Sequence, residues 1–257
     1  MLLADEVSNT YIYEEKDDAN ALGKEAWRAI IHDSIERQHF SLKFWSSIDV
    51  RTKTVEHKVM TFTIDGGEQK QYFYGDFIAP AINLGLVSQI YIVALKELIT
   101  KKHSQLENKL CSIRLSSEFL KDPQAFGELS SLFASYAKTL DFRLSFEVSD
   151  NFAINNTALV KEFTTLFAKY GFGFGINSFT GESTDFAYLK ELNPQFIKAD
   201  ISFLLDQSKD SMSAILVVTD SLGIDIIATF VKTQVELEQL GNLHIYKVQG
   251  PITDTLE

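Results

Sequence analysis

The sequence predicts an α/β fold, a TIM-like (β/α)8 barrel with an antiparallel first strand. The 257-residue length suits a single α/β barrel. Short apolar or alternating runs recur roughly eight times, the number a closed barrel requires. The connection after the first run is too short for a crossover helix, so the first two strands must pair as an antiparallel hairpin. With 45% hydrophobic residues and 20 phenylalanines, the chain can fill a bulky interior.

Taken in order, the strand-like runs fall at 41–48, 57–62, 111–116, 142–149, 172–179, 196–200, 223–228 and 243–249. Before the first, Trp27, Ile30, Ile31 and Ile35 form one apolar stripe at helical spacing. Residues 84–99 make the most apolar helical stretch, and 157–170, 209–222 and 232–240 repeat the helical period. Residues 1–18 stand apart: Tyr11-Ile12-Tyr13 precedes the charged run Glu14-Glu15-Lys16-Asp17-Asp18. That pattern reads as the tail of a preceding module and a linker, with the barrel occupying 19–257.

A net charge of −11 argues against nucleic-acid polymers and anionic membrane surfaces as partners. The single cysteine, Cys111, cannot form an internal disulfide, so a cytoplasmic location is expected and the thiol reads as a small buried side chain. No run resembles a signal peptide or membrane span, since 84–99 is interrupted by Ser88, Gln89, Lys96 and Glu97. Membrane attachment would come only through segments upstream of this chain.

Several chemistries lack a foothold. The run Gly171-Phe172-Gly173-Phe174-Gly175 enters a strand instead of opening a helix, so it reads as close backbone packing and not as a phosphate loop. The histidines His32, His39, His57, His103 and His244 show no ligand spacing and take surface or structural roles by default. No nucleophile elbow, zinc-protease helix or redox dithiol occurs.

Several segments together resemble the EAL family of cyclic di-GMP phosphodiesterases over about residues 25–253. Phe77-Ile78-Ala79-Pro80-Ala81 with Gly85-Leu86-Val87 is similar to the segment after the family's second strand. Ile113-Arg114-Leu115-Ser116 resembles its V-N-L-S strand, and Phe146-Glu147-Val148-Ser149 its E-I-T strand. Ile176-Asn177-Ser178-Phe179 stands in the place of L-D-D-F. Tyr188-Leu189 and Phe196-Ile197-Lys198-Ala199-Asp200 look like Y-L…L-K-I-D, while Val248-Gln249-Gly250 matches V-Q-G. The resemblance implies a barrel of EAL type.

It also implies chemistry by one or two divalent metals held by carboxylates at the barrel mouth, and there the chain departs. Lys58-Val59-Met60 stands where E-A-L belongs, Arg114 replaces the asparagine, and Asn177 and Ser178 replace the paired aspartates. Thr229 and Lys232 replace later glutamates. Glu147 survives, Asp150 is a shortened echo of a neighbouring glutamate, and Lys198, the family's non-metal lysine, is kept. One carboxylate beside Lys58 and Arg114 cannot offset charge repulsion and the loss of metal hydration, so Glu147 is expected to pair with one or more cations. No cofactor is expected.

The lysine motif resembles the LapD-type receptors, inner-membrane proteins whose degenerate EAL domain follows a GGDEF-like module and binds cyclic di-GMP without hydrolysing it. Residues 1–18 then resemble the end of such a module. The implied function is a catalytically inactive, metal-free receptor for cyclic di-GMP. Its candidate ligand-binding residues are Lys58, Arg114, Glu147, Asn177, Lys198, Lys232 and Gln249. A homodimer or protein partner would transmit occupancy.

Other readings stay open: an interaction module without nucleotide binding, or a residual phosphodiesterase. The bases at the mouth either form an anion site or are neutralised internally by Glu147, Asp150 and Asp200. Phe62 falls where the family has an arginine after E-A-L. Trp45, in place of a first-strand glutamine, could stack on a base, but a strand tryptophan is expected in the core.

Overall fold

The computed structural model describes residues 22–38, 40–67, 70–183 and 186–256. The segment read as the tail of a preceding module, and His39, lie outside them. Among the described residues one sheet contains β1 (Phe40–Asp49), β2 (Thr54–Asp65), β3 (Gln71–Phe73), β4 (Leu110–Arg114) and β5 (Arg143–Ser149), followed by β6 (Gly173–Asn177), β7 (Phe196–Asp200), β8 (Asp225–Thr229) and β9 (Lys247–Gln249). Their order is β1-β9-β8-β7-β6-β5-β4-β2-β3, and a further β1–β2 pairing closes eight of them into a barrel.

Strands β4 to β9 run parallel. β1 lies antiparallel to β9, with Ser47 opposite Gln249 and Asp49 opposite Lys247. The first two strands pair as the expected hairpin. β3 stands outside the ring, antiparallel to β2 with Thr63 opposite Phe73. Three residues are too few to show a sequence period.

Boundaries shift where turn geometry intervenes. The run at 223–228 begins as strand only at Asp225, because Gly223 (φ 67°) is the left-handed cap of the preceding helix. The run at 243–249 begins as strand at Lys247, behind His244 at φ 59°. The apolar stretch at 84–99 is divided: one helix, Tyr74–Leu84, ends at left-handed Gly85 (φ 69°), and the next spans Val87–Thr100. No helix among the described residues is long and apolar enough to cross a membrane.

The chain forms two compact units. Over the described residues, one comprises 22–44, Met60–Gln105 and Glu118–Leu140, and the other Trp45–Val59, Leu106–Ser117 and 141–256. In the first, helix α1 (Lys24–Arg37) buries Trp27, Ile31 and Ser34. Ile30 and Ile35 of the expected stripe are only half-buried. The Trp27 ring meets Tyr72 edge-on at 4.8 Å. Phe62 is buried among Phe40, Tyr74, Phe77 and Tyr91, with centroids 5.6 to 6.0 Å away. Phe62 is thus an aromatic core residue.

The second unit holds β4 to β9 and the helices from Asp150 onward, and is built on period-two alternation. On β5, Leu144, Phe146 and Val148 are fully buried, and Ser145, Glu147 and Ser149 take the opposite face. On β6 that face is left clear by glycine. A Cβ at Gly175 would stand 2.3 Å from the Phe196 ring, and one at Gly173 would stand 2.1 Å from Gln195 Oε1. The glycine run is therefore close packing, as its context in the sequence implied. Cys111 is buried, and burial pushes its thiol up.

Gly175→Ala forces a methyl group into the Phe196 ring and should cost about 1–3 kcal/mol, read as a lower urea midpoint at unchanged slope. Adding Phe196→Leu should recover part of the loss.

Candidate functional site at the barrel mouth

Parallel barrels present their chemistry at the C-terminal ends of the strands, where neighbouring strands deliver side chains of unrelated sequence position to one place. Here register sets Arg114 of β4 opposite Glu147 of β5, Ser149 opposite Asn177 of β6, and Asp200 of β7 opposite Thr229 of β8.

Glu147 is the centre. Its Oε1 lies 2.5 Å from Lys198 Nζ, and its Oε2 accepts a 2.7 Å hydrogen bond from Asn177 Nδ2. Ser178 Oγ in turn donates to Asn177 Oδ1 at 2.9 Å. The carboxylate and the ammonium are 0% and 1% exposed. Burial alone would raise the carboxyl, but the Lys198 charge and the hydrogen bond from its ammonium outweigh it and hold it below its ordinary value. Burial lowers Lys198, and the charge of Arg114 adds to that, against the pull of Glu147.

Glu147 thus forms the expected ion pair, but with Lys198 instead of Lys58 or Arg114. The other two expected internal neutralisers are occupied elsewhere. Asp150 accepts a hydrogen bond from the Tyr188 hydroxyl and bonds of 2.9 Å from the Thr180 amide and hydroxyl. Asp200 caps the helix Ile201–Asp206 through the Ser202 amide at 2.8 Å. Asp150 is engaged on both oxygens by residues 30 and 38 positions away, while Asp200 is engaged through Oδ1 by the start of its own helix.

The remaining candidates are spread around the ring. Arg114 is half-buried and makes no hydrogen bond or ion pair among the described residues. Lys58 hydrogen-bonds Ser46 on the paired strand. Lys232 is exposed on the loop after β8, where its amide is held by Glu236. Gln249 ends β9 with its Oε1 buried and without a partner among the described residues.

Two positions differ from expectation. Trp45 is 48% exposed, so it is not core. Its strand runs antiparallel to β9 and approaches the mouth with this residue two positions from Ser47, on the same face as Gln249. His57, read as structural by default, is buried and stacks on Phe196 at 5.1 Å, and its charge is coupled to both Lys198 and Glu147. Burial and the Lys198 charge push it down to about 3, so the imidazole is neutral. Nothing in the sequence marked His57, because its surroundings come from strands remote in the chain.

A divalent metal does not fit this donor set. Hard cations take several oxygen ligands, yet both oxygens of Glu147 are engaged and the residue opposite it is a guanidinium. Among the described residues no group of three or more His, Cys, Asp or Glu converges.

Residues 28–253 match the model of the EAL domain, and the chain belongs to that family. A segment of 110 residues is 27% identical to the cyclic di-GMP phosphodiesterase PdeB of Shewanella oneidensis, covering 41% of this chain and 13% of that protein. The fold resembles Vibrio cholerae LapD S helix-GGDEF-EAL bound to c-di-GMP, with TM-score 0.83 and 19% identity, over 98% of this chain and 63% of that one. It also resembles the FimX EAL domain of Pseudomonas aeruginosa bound to c-di-GMP, with TM-score 0.73 and 22% identity, over 87% and 93%. The chain therefore spans less than two thirds of the PdeB and LapD chains it matches. At these identities the structural likeness carries the fold.

Removing one member of the buried pair should be costly. Lys198→Met leaves a buried carboxylate without its counter-ion and should lose about 3–5 kcal/mol, while Lys198→Met with Glu147→Leu should recover most of it in equilibrium unfolding.

His57 adds a pH dependence of known sign. Its folded value of about 3 lies below the 6.5 of the free side chain, so between them the unfolded chain binds the extra proton. Stability is complete above the upper value and falls as pH drops, by up to about 1.4 kcal/mol per unit. His57→Phe should reduce the loss measured by urea unfolding between about pH 7 and pH 5.

Proposed function

We propose that this EAL domain is catalytically silent and acts in signalling by binding cyclic di-GMP without metal. The observation that carries the reading is the engagement of Glu147 by Lys198 and Asn177. The one carboxylate retained from the family's ligand set serves an internal ion pair. Arg114, set opposite it and without a partner among the described residues, offers the charge that a metal supplies elsewhere. A guanidinium binds phosphate oxygens bidentately, and Lys232 adds a second, exposed cation on a loop at the same end of the parallel strands. Lys58 and Lys198 contribute field from within, and Asn177 and Gln249 supply amides for hydrogen bonding.

The relatives support this direction. LapD and FimX domains of the same fold are described bound to c-di-GMP, and PdeB is described as a phosphodiesterase acting on the same dinucleotide. In this reading the chain follows a GGDEF-like module in a longer protein, with membrane attachment through upstream segments. Occupancy is passed to a protein partner or a second copy.

Calorimetric titration of cyclic di-GMP into the purified chain with EDTA throughout should give saturable binding. Arg114→Glu should abolish it while circular dichroism and the unfolding midpoint stay near those of the wild type. Nucleotide turnover dependent on added magnesium or manganese would overturn catalytic silence. Absence of heat on folded protein would overturn the receptor reading and leave an interaction module.

A further inference from the structure

The opposite end of the barrel holds a cavity of about 400 Å³, outside the site just described. It is lined where β4 to β9 begin, by Arg143 of β5, Phe196 of β7, Asp225 of β8 and Lys247 of β9, with Glu56 and His57 from β2. Its volume falls in the range of small-molecule sites. Gly171, Gly173 and Gly223 line it as well, so three rim positions project no side chain into the opening.

The charges in it are laid out unevenly. Lys247 Nζ bridges Glu56 at 3.0 Å and Asp225 at 2.8 Å. Its ammonium is opposed by burial but held above its ordinary value by those two partners. Two carboxylates sharing one ammonium leave that side with a net negative charge. Arg143 is exposed and makes no ion pair among the described residues. In the closed order β1-β9-β8-β7-β6-β5-β4-β2, β5 stands four strands from β9 in either direction. Asp225 on β8 stands three strands from β5 and Glu56 on β2 two, so the free guanidinium lies across the barrel from Lys247 and apart from both carboxylates. Between them lies an apolar floor, the Phe196 ring stacked with the His57 imidazole at 19°.

His57 is the second, independent pointer. It is 2% exposed, lines the cavity, and its Nε2 has no hydrogen-bond partner among the described residues. Buried polar atoms of native proteins are nearly always satisfied, so this nitrogen calls for a partner from the cavity side.

We infer that this cavity is a binding site for a small zwitterion of the amino-acid type. The ligand's carboxylate is taken by Arg143, its ammonium by the Glu56–Asp225 side, and its body by the Phe196–His57 floor. An anion alone would meet two carboxylates, and a cation alone would meet Arg143 and Lys247. A molecule carrying both charges satisfies both walls. The inference does not rest on nucleotide binding at the other end.

The test is a thermal-shift and calorimetric screen of the whole chain against the free amino acids and short dipeptides at millimolar concentration. N-acetylated and carboxyl-amidated versions serve as controls. Stabilisation is expected from at least one zwitterion and from neither of its blocked forms. Arg143→Gln and Asp225→Asn, both exposed positions, should each weaken that ligand by roughly tenfold or more, and Arg143→Gln should do so without lowering the unliganded midpoint, since Arg143 makes no ion pair among the described residues. Binding of cyclic di-GMP should be unchanged in both variants, which separates this site from the mouth. No stabilisation by any zwitterion, equal stabilisation by blocked forms, or undiminished binding in Arg143→Gln would each overturn the assignment.

Discussion

The 2.5 Å ion pair between Glu147 and Lys198 is the constraint on which the mouth of this barrel depends. Two opposite charges almost wholly removed from water are tolerable only with each other and with hydrogen bonds to their remaining valences. Asn177 supplies such a bond to the carboxylate, on the oxygen that Lys198 leaves open. Both oxygens of Glu147 are thereby committed within the protein. A guanidinium at Arg114, which would repel a dication, becomes compatible with the fold.

The same pair shapes the residues around it. His57 is held neutral by burial and by the Lys198 charge, which lets a polar ring act as an apolar stacking partner for Phe196. Gly175 yields its side-chain volume to that ring, so the strand carrying Asn177 lies close enough for its amide to reach Glu147. Asp150 is excluded from the network by its own bonds to Tyr188 and Thr180, which fix the turn after β6. The barrel interior therefore has a charged but neutralised centre, with its open cations near the rims.

Much of the architecture was legible in the chain. Period-two runs marked the strands of the ring, and the short connection between the runs at 41–48 and 57–62 marked the hairpin, since so short a link permits no crossover. The helix at Lys209–Leu222 is bounded as its pattern predicts, because Ser208 and Gly223 are cap residues with defined geometry. Where boundaries moved, as at Gly223 and His244, left-handed backbone had ended or delayed the element within an otherwise apolar run. β3 was not legible, being too short to carry a period.

By itself the sequence determined the barrel and its family, and it singled out Lys58, Arg114, Glu147 and Lys198 as residues to look for at the mouth. These follow from residue identity and local spacing, which are properties of the chain. Tertiary structure alone decided that Glu147 pairs with Lys198, that Asp150 is taken up by Thr180 and Tyr188, that Trp45 is exposed and that His57 lies buried against Phe196. Each depends on which strands become neighbours and on how far each side chain is removed from water. Those distances arise only when strands remote in sequence are brought together around the ring.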